Sequence, residues 1–194
     1  MGFRVKVIFV CTKSITFNTF LKPQLDYFVK KGIKVEVACS DIHNLNLKKS
    51  SIYKIDFPSN IIELFSLTRF IRVLFQIKTL IKKNSSEIFY LHTPVAAHLF
   101  RLFTFFYKLK IIYFVHGFRF TSLTSSIKNL CFKTIEKILS FNTGVFITIN
   151  DEDYNYIKSN YLQKKLVFKI NGVGLDLTEQ KIKIKKNKKK IKKI

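Results

Sequence analysis

The sequence has 194 residues and a formal charge of +23, which is enough chain for one domain with a full hydrophobic core and too little for two large ones. Its cations are 30 lysines and only 5 arginines. Bidentate hydrogen bonds to phosphates and to the edges of bases favour arginine. The excess of lysine over arginine therefore argues against sequence-specific nucleic-acid binding. The last fourteen residues hold nine lysines, and removing them leaves +14 on residues 1–180. A basic surface for an anionic partner and an A/T-rich codon bias explain this charge equally well.

The cysteines and the apolar segments indicate a cytoplasmic protein. Cys11, Cys39 and Cys131 stand far apart without a paired motif, which predicts buried thiols in a reducing compartment rather than disulfides or a zinc site. No run of about 18 uncharged apolar residues predicts a membrane-spanning helix, and residues 1–13 lack the pattern of a signal peptide. The basic charge leaves open a peripheral position at the inner membrane face.

Apolar periodicity predicts strands and helices that alternate along the chain. The predicted strands are residues 5–11, 33–38, 52–57, 88–91, 111–115, 145–149 and 166–170. The predicted helices are residues 20–31, 61–83, 125–141 and 154–161, with a further helix-length segment after Pro94 and a polar turn at residues 12–19. Asn150 is expected to cap the last helix. This alternation predicts an α/β fold built on a doubly wound parallel sheet.

Two predicted helices carry apolar faces. The face of the helix at residues 61–83 is typical of a helix that covers a sheet, while Ile71 and Phe75 at its flank leave lipid contact open. The helix at residues 125–141 carries a second apolar face, which is expected to pack on the domain. That face consists of Leu130, Ile135, Ile138 and Leu139.

Two predicted strands each end in a histidine. His92 follows residues 88–91 and His116 follows residues 111–115, where Gly117 lets the backbone approach a ligand closely. Strands joined by a helix-length crossover lie parallel, so both histidines are expected at the carboxyl edge of one sheet, where open α/β folds bind ligands. Each histidine taken singly also fits a hydrogen-bonded structural residue. The four histidines lack metal-ligand spacing, so no metal site is predicted.

Four short blocks follow one another along the chain. They are FYLHTPVAA at residues 89–97, IYFVHGFRF at 112–120, ITINDEDY at 147–154 and NGVGLD at 171–176. In order and spacing they resemble the amino-terminal domain of family 4 glycosyltransferases of capsule and exopolysaccharide synthesis. The resemblance runs from about residue 5 to residue 177 and implies one Rossmann-like half of the GT-B architecture, in which two such domains face each other across a cleft.

The resemblance implies a reaction and a catalytic residue. A sugar would pass from a nucleotide-sugar donor, which is a substrate rather than a cofactor, to a saccharide acceptor that is commonly lipid-linked, with retention of anomeric configuration and without a bound metal. His116 would contact the donor sugar or stabilise developing charge. Gly117 would keep the turn close, and Arg119, in the same block, is expected to bind substrate.

The resemblance also implies further substrate-binding residues. His92 and Thr93 would line the acceptor side of the cleft. The turn that contains Thr12 and Ser14 would approach the diphosphate, although it has no glycine where relatives often have one.

In this family a second domain, which binds the nucleotide sugar, normally begins just after the segment matched by residues 171–176. Here the sequence passes into lysines. We therefore predict a glycosyltransferase 4-like acceptor domain at residues 1–178, a disordered lysine-rich tail at residues 179–194, and a truncated half-enzyme that is inactive by itself. Slippage of the reading frame in the run of lysine codons is the hypothesis for the truncation, and the downstream DNA would test it.

Two other functions stay open on the sequence. The first is a non-catalytic interaction module or remnant that pairs with a separately encoded donor domain. The second is non-specific binding to an anionic membrane or nucleic-acid surface through the basic tail.

Overall fold

The centre of the fold is a parallel sheet. The computed structural model describes residues 5–45, 51–59, 63, 66–120, 125–161 and 165–172, and within them the sheet has seven strands in the order β3-β2-β1-β4-β5-β6-β7. Every neighbouring pair is parallel. This order confirms the predicted Rossmann-like doubly wound sheet. The strands are β1 Lys6–Val10, β2 Lys34–Cys39, β3 Ser51–Lys54, β4 Ile88–Leu91, β5 Lys110–Val115, β6 Val145–Thr148 and β7 Leu166–Lys169.

Helices form the crossovers between the strands. They are α1 Ser14–Thr16, α2 Lys22–Lys30, α3 Leu67–Asn84, α4 Pro94–Phe103, α5 Ser126–Leu139 and α6 Asp151–Asn160. A π-helical segment, Phe17–Leu21, joins α1 to α2. The side chain of Asn150 accepts a hydrogen bond from the backbone nitrogen of Asp153, which confirms the predicted cap of α6. The predicted domain end at residue 178 and the tail at residues 179–194 lie outside the described residues.

An apolar layer covers each face of the sheet. One layer packs α3, α4 and α6 against strand residues such as Ile8 and Phe89. The other layer packs α2 and the π segment against the next residues along the same strands, such as Phe9 and Tyr90. Successive strand residues therefore point to opposite buried faces, which explains why the central strands are continuously apolar.

The first helical segment begins earlier than predicted. Residues 12–19 were expected to form a polar turn, but helical structure begins at Ser14. The carboxylate of Asp41 accepts hydrogen bonds from the backbone nitrogen and the hydroxyl of Ser14, at 2.6 and 2.8 Å. These bonds satisfy a donor that a helix start leaves free. Because Asp41 lies 27 positions further along, no local sequence signal indicates this helix start.

Helix α3 begins at Leu67, later than the predicted residue 61, but its apolar face is buried as predicted, whereas that of α5 is not. Val73, Ile77, Leu80 and Ile81 of α3 are buried. On α5, Leu139 is buried, but the other members of the predicted face are largely exposed, Leu130 by 66%, Ile135 by 44% and Ile138 by 50%. The helix packs on the domain through Glu136 and Leu139 instead.

Two further predictions concern the burial of the cysteines and the possibility of a membrane-spanning helix. Cys11 and Cys39 are buried as predicted, but Cys131 is exposed because it lies on the outer side of α5. Within the described part of the chain, no helix combines the length and the apolar character that crossing a bilayer requires.

Candidate functional site

A pair of histidines lies at the carboxyl edge of the sheet. His92 follows β4 and His116 follows β5, and these strands are neighbours. Nδ1 of His92 lies 3.3 Å from Nε2 of His116, with the ring centroids 5.5 Å apart. The prediction that both imidazoles share one edge is confirmed.

The two imidazoles differ in exposure. His92 is fully buried and stacks on Phe9, with ring centroids 5.6 Å apart and planes 5° apart. Burial lowers the pKa of His92 well below its ordinary value, and the nearby His116 ring lowers it further. His116 is only partly buried, and this burial lowers its pKa too. Both rings are therefore neutral near pH 7, and one N–H is shared between them while His116 stays accessible from the edge.

A pair of threonines joins the ends of β1 and β4 beside the histidines. The backbone nitrogen of Thr12 donates to Oγ1 of Thr93 at 2.9 Å, and the two hydroxyl oxygens are 2.8 Å apart. Thr93 adopts a φ of 61°, which a β-branched residue rarely takes and which costs about 1–3 kcal/mol. The hydrogen bonds to Thr12 help to hold this conformation at the entrance to α4.

We expect replacement of Thr93 by valine to lower the free energy of unfolding by about 1–3 kcal/mol, because it leaves the backbone N–H of Thr12 without its acceptor. Thr93→Ser is the matched control, since it keeps the hydroxyl and removes the branching methyl. Urea unfolding of both variants measures the difference. Equal stability of the two variants would mean that the threonine pair does not hold the edge.

The structure places the other predicted residues around this edge without testing their roles. Ser14 is buried, and its donors are already engaged by Asp41. Burial alone would raise the pKa of Asp41, but the hydrogen bonds from Ser14 lower it below its ordinary value, so a negative charge lies beside this turn. Gly117 has a φ of 124°, a conformation that favours glycine, and Arg119 is exposed. Contact of Ser14 with a diphosphate stays a prediction.

A buried charged cluster lies behind the edge, and sequence reasoning missed it. Arg101 of α4 is fully buried, and its guanidinium donates to Oε2 of Glu136 of α5 at 2.9 Å. The other carboxylate oxygen of Glu136 lies 2.9 Å from Nε2 of His98. The Arg101 guanidinium also lies over the ring of Tyr113, 4.1 Å from its centroid. Burial alone would raise the pKa of Glu136, but Arg101 and the hydrogen bond from His98 hold it below its ordinary value.

An apolar groove of about 440 Å³ lies between α4 and α5. Leu99 and Leu102 line it from α4, and Phe132, Ile135 and Ile138 line it from α5. His98 and Arg119 are the polar members of its lining. We call this feature the α4–α5 groove.

The strand order and the ligand edge define a Rossmann-like α/β domain of the kind that forms one half of the GT-B fold. The sequence narrows this class further, since the model of the family described as "Glycosyl transferase 4-like" matches residues 6–150. The chain therefore belongs to the Glycosyl transferase 4-like family, as the four blocks predicted.

Known proteins extend this comparison. EpsD of Bacillus subtilis (strain 168), whose name designates a glycosyltransferase, is 30% identical over an alignment of 178 residues, and the match covers 88% of this chain and 44% of EpsD. The chain thus spans less than half the length of this relative. Sucrose-phosphate synthase from Thermosynechococcus elongatus superposes with a TM-score of 0.64 at 9% identity, over 86% of this chain and 48% of the synthase. MurG from Acinetobacter baumannii gives 0.52 at 12% identity, over 84% of this chain and 44% of MurG. At such identities the structural likeness shows the fold alone.

Proposed function

We propose that this chain is the acceptor-side domain of a glycosyltransferase that moves a sugar from a nucleotide-sugar donor to a saccharide acceptor. The observation that carries the proposal is the His92–His116 pair at the ligand edge of a domain of this family. His116 is the accessible member, and the glycine beside it has the positive φ of a turn that brings backbone close to a ligand.

The proposed reaction exchanges one bond of the sugar for another. The bond between the anomeric carbon and the diphosphate oxygen breaks, and its electron pair leaves with the nucleotide. A hydroxyl oxygen of the acceptor bonds to the same carbon and passes its proton to the departing diphosphate oxygen. Retention means that the acceptor oxygen arrives on the face that the diphosphate leaves. A neutral His116 donates a hydrogen bond where charge develops, which is the kind of contact that stabilises a transition state.

We propose different roles for the two histidines. His92 is enclosed by aromatic rings and has no exposed surface, so it orients His116 through the 3.3 Å contact between their nitrogens. Thr93 and Arg119 lie closer to solvent and are the better candidates for contact with the acceptor.

The proposal places one wall of a cleft in this chain. Charge stabilisation needs groups on both sides of the reacting centre, and EpsD is more than twice the length that the matched residues cover. We propose that transfer requires a donor-binding domain that faces the carboxyl edge, and that these 194 residues alone are inactive. We further propose a lipid-linked acceptor of surface polysaccharide synthesis, met at the cytoplasmic face of the inner membrane. The basic charge of the chain suits such an anionic surface.

A fusion of this chain to the carboxyl-terminal part of EpsD tests the proposal. We expect the fusion to transfer radiolabelled sugar from UDP-sugars to a Bacillus subtilis membrane-lipid extract, and the chain alone to transfer none. EpsD itself is the positive control, and nucleotide binding by the fusion shows that its donor half is folded. A folded fusion that transfers nothing under conditions in which EpsD is active would overturn the assignment.

A further inference from the structure

The histidine pair leaves one ring nitrogen of His116 for a ligand. Nδ1 of His92 faces Nε2 of His116 at 3.3 Å, so each ring commits one nitrogen to the other. Nδ1 is therefore the nitrogen of His116 that remains for a ligand. Nε2 of His92 is buried and has no hydrogen-bond partner within the described part of the chain. The direction of the shared hydrogen bond decides whether His116 offers a ligand an N–H group or a bare nitrogen.

Two arrangements of the protons are possible in this pair. Each neutral imidazole carries one proton, and burial keeps both rings neutral near pH 7 because it lowers both pKa values. If His116 donates from Nε2, the proton of His92 must lie on its enclosed Nε2, and Nδ1 of His116 is bare. If His92 donates from Nδ1, its own Nε2 is bare, and the proton of His116 lies on Nδ1.

The aromatic rings around His92 disfavour the first arrangement. An N–H bond lies in the plane of its own imidazole, so its inclination to a neighbouring ring cannot exceed the angle between the two planes. That angle is 5° for Phe9, 25° for Phe114 and 50° for Tyr90. None of these three rings can therefore receive the N–H at a right angle to its face. Among backbone groups, buried N–H donors without a partner are rarer than under-satisfied acceptors, which also favours the second arrangement.

We infer that His92 donates its Nδ1–H to Nε2 of His116 and thereby fixes His116 as the tautomer that carries its proton on Nδ1. His92 is then a positioning residue, and Nδ1–H of His116 is the group offered at the ligand edge. This N–H can donate to an oxygen of the sugar or of the departing diphosphate, but it cannot take up the proton of the acceptor hydroxyl. The inference rests on the proposed function for this use. The positions of the protons do not depend on that function, and they can be tested without sugar transfer.

Nuclear magnetic resonance of the ¹⁵N-labelled full chain tests the proton positions, because the chemical shift of an imidazole nitrogen separates a protonated atom from a bare one. At pH 7 we expect a protonated Nδ1 and a bare Nε2 in both His92 and His116. Signals that vanish in His92→Asn and in His116→Gln distinguish these two rings from His43 and His98. A protonated Nε2 in either ring would overturn the inference, and so would intermediate shifts, which mean exchange between the two arrangements.

Two variants of His92 test its positioning role in the EpsD fusion. His92→Leu removes the donor, whereas His92→Asn keeps an amide N–H close to the position of Nδ1. We expect His92→Leu to lower turnover at least about tenfold with little change in the Michaelis constant, because His116 is then free to carry its proton on Nε2 and to present an acceptor where a donor is required. His92→Asn should recover most of the rate.

Equal rates of the two His92 variants, or losses of rate that follow their stability in urea, would contradict the positioning role. A fusion without any sugar transfer would contradict the proposed function alone, since the resonance experiment decides the proton positions independently.

Discussion

Replacement of Glu136 by alanine is expected to lower the free energy of unfolding by about 3–5 kcal/mol, because it leaves the guanidinium of Arg101 charged and buried without its carboxylate. Arg101 is fully enclosed, and water cannot compensate for the lost partner. The stacking of the guanidinium on Tyr113 recovers only part of this loss. Urea unfolding of the full chain measures the change.

An exposed ion pair provides the comparison. Lys22 and Asp26 on α2 lie 2.6 Å apart, closer than Arg101 and Glu136, but their side chains are 46% and 60% exposed. We expect Asp26→Ala to change stability by about 0–1 kcal/mol, because solvent screens such pairs. If Glu136→Ala and Asp26→Ala lower the free energy of unfolding equally, burial does not make the Arg101–Glu136 pair more stabilising than an exposed pair.

The Arg101–Glu136 pair makes the free energy of unfolding depend on pH in the acidic range. The pKa of Glu136 in the folded chain lies below its ordinary value of about 4.3, so the unfolded chain takes up the proton first. The stabilisation is therefore fully present above about pH 4.3 and is lost as the pH falls through the lower, folded pKa. Urea midpoints of Glu136→Gln should fall less on acidification than those of the unaltered chain. Parallel curves would assign the acid sensitivity to other carboxylates.

Local patterns in the sequence were sufficient to predict most of the architecture. Strand positions and α3 follow from runs and periodicity of apolar residues, and the cap at Asn150 follows from a signal of four residues, 150–153. The shared edge of His92 and His116 follows from topology alone, because parallel neighbours end at the same side.

The features that sequence reasoning missed depend on pairs distant in the chain. Asp41 fixes the start of α1 at Ser14, and Glu136 neutralises Arg101 from 35 residues away. Periodicity cannot predict such partners, because it records only which side of a helix or strand a residue occupies. The apolar face of α5, which we expected to pack on the domain, is largely exposed for the same reason. A periodic pattern of apolar residues predicts that a helix has an apolar face. It does not reveal whether other residues of the same chain bury that face.

The burial of His92 is a related case. The sequence placed His92 at the edge as a residue that lines the acceptor side, but alternation along β4 turns its ring toward the layer of Phe9 and Phe114. The neighbouring strand residue, Leu91, points into the opposite layer. Only the packing distinguishes an enclosed imidazole from an accessible one, and the roles that we propose for His92 and His116 follow from that difference.

In a protein that contains both halves of the cleft, such as the EpsD fusion, His116→Ala is expected to lower turnover by about 10²–10³-fold, the effect typical of losing one donor that stabilises developing charge. The proposed contact is made mainly in the transition state, so the Michaelis constant should change much less than turnover. His116→Gln keeps a hydrogen-bond donor near the same place and should recover part of the rate. Steady-state kinetics of sugar transfer provide both quantities.

Lys110→Ala is the matched control for His116→Ala, because Lys110 begins the same strand, β5, at the opposite edge of the sheet and is exposed. This substitution should leave turnover unchanged. His116 is partly buried, so its removal also costs some packing, and urea unfolding of both variants separates that cost from the loss of rate. A loss of turnover that follows the loss of stability would make His116 a structural residue. A loss of turnover in a variant of near-normal stability would support the proposed hydrogen bond from His116 at the cleft, because His92 would still lie in place behind it.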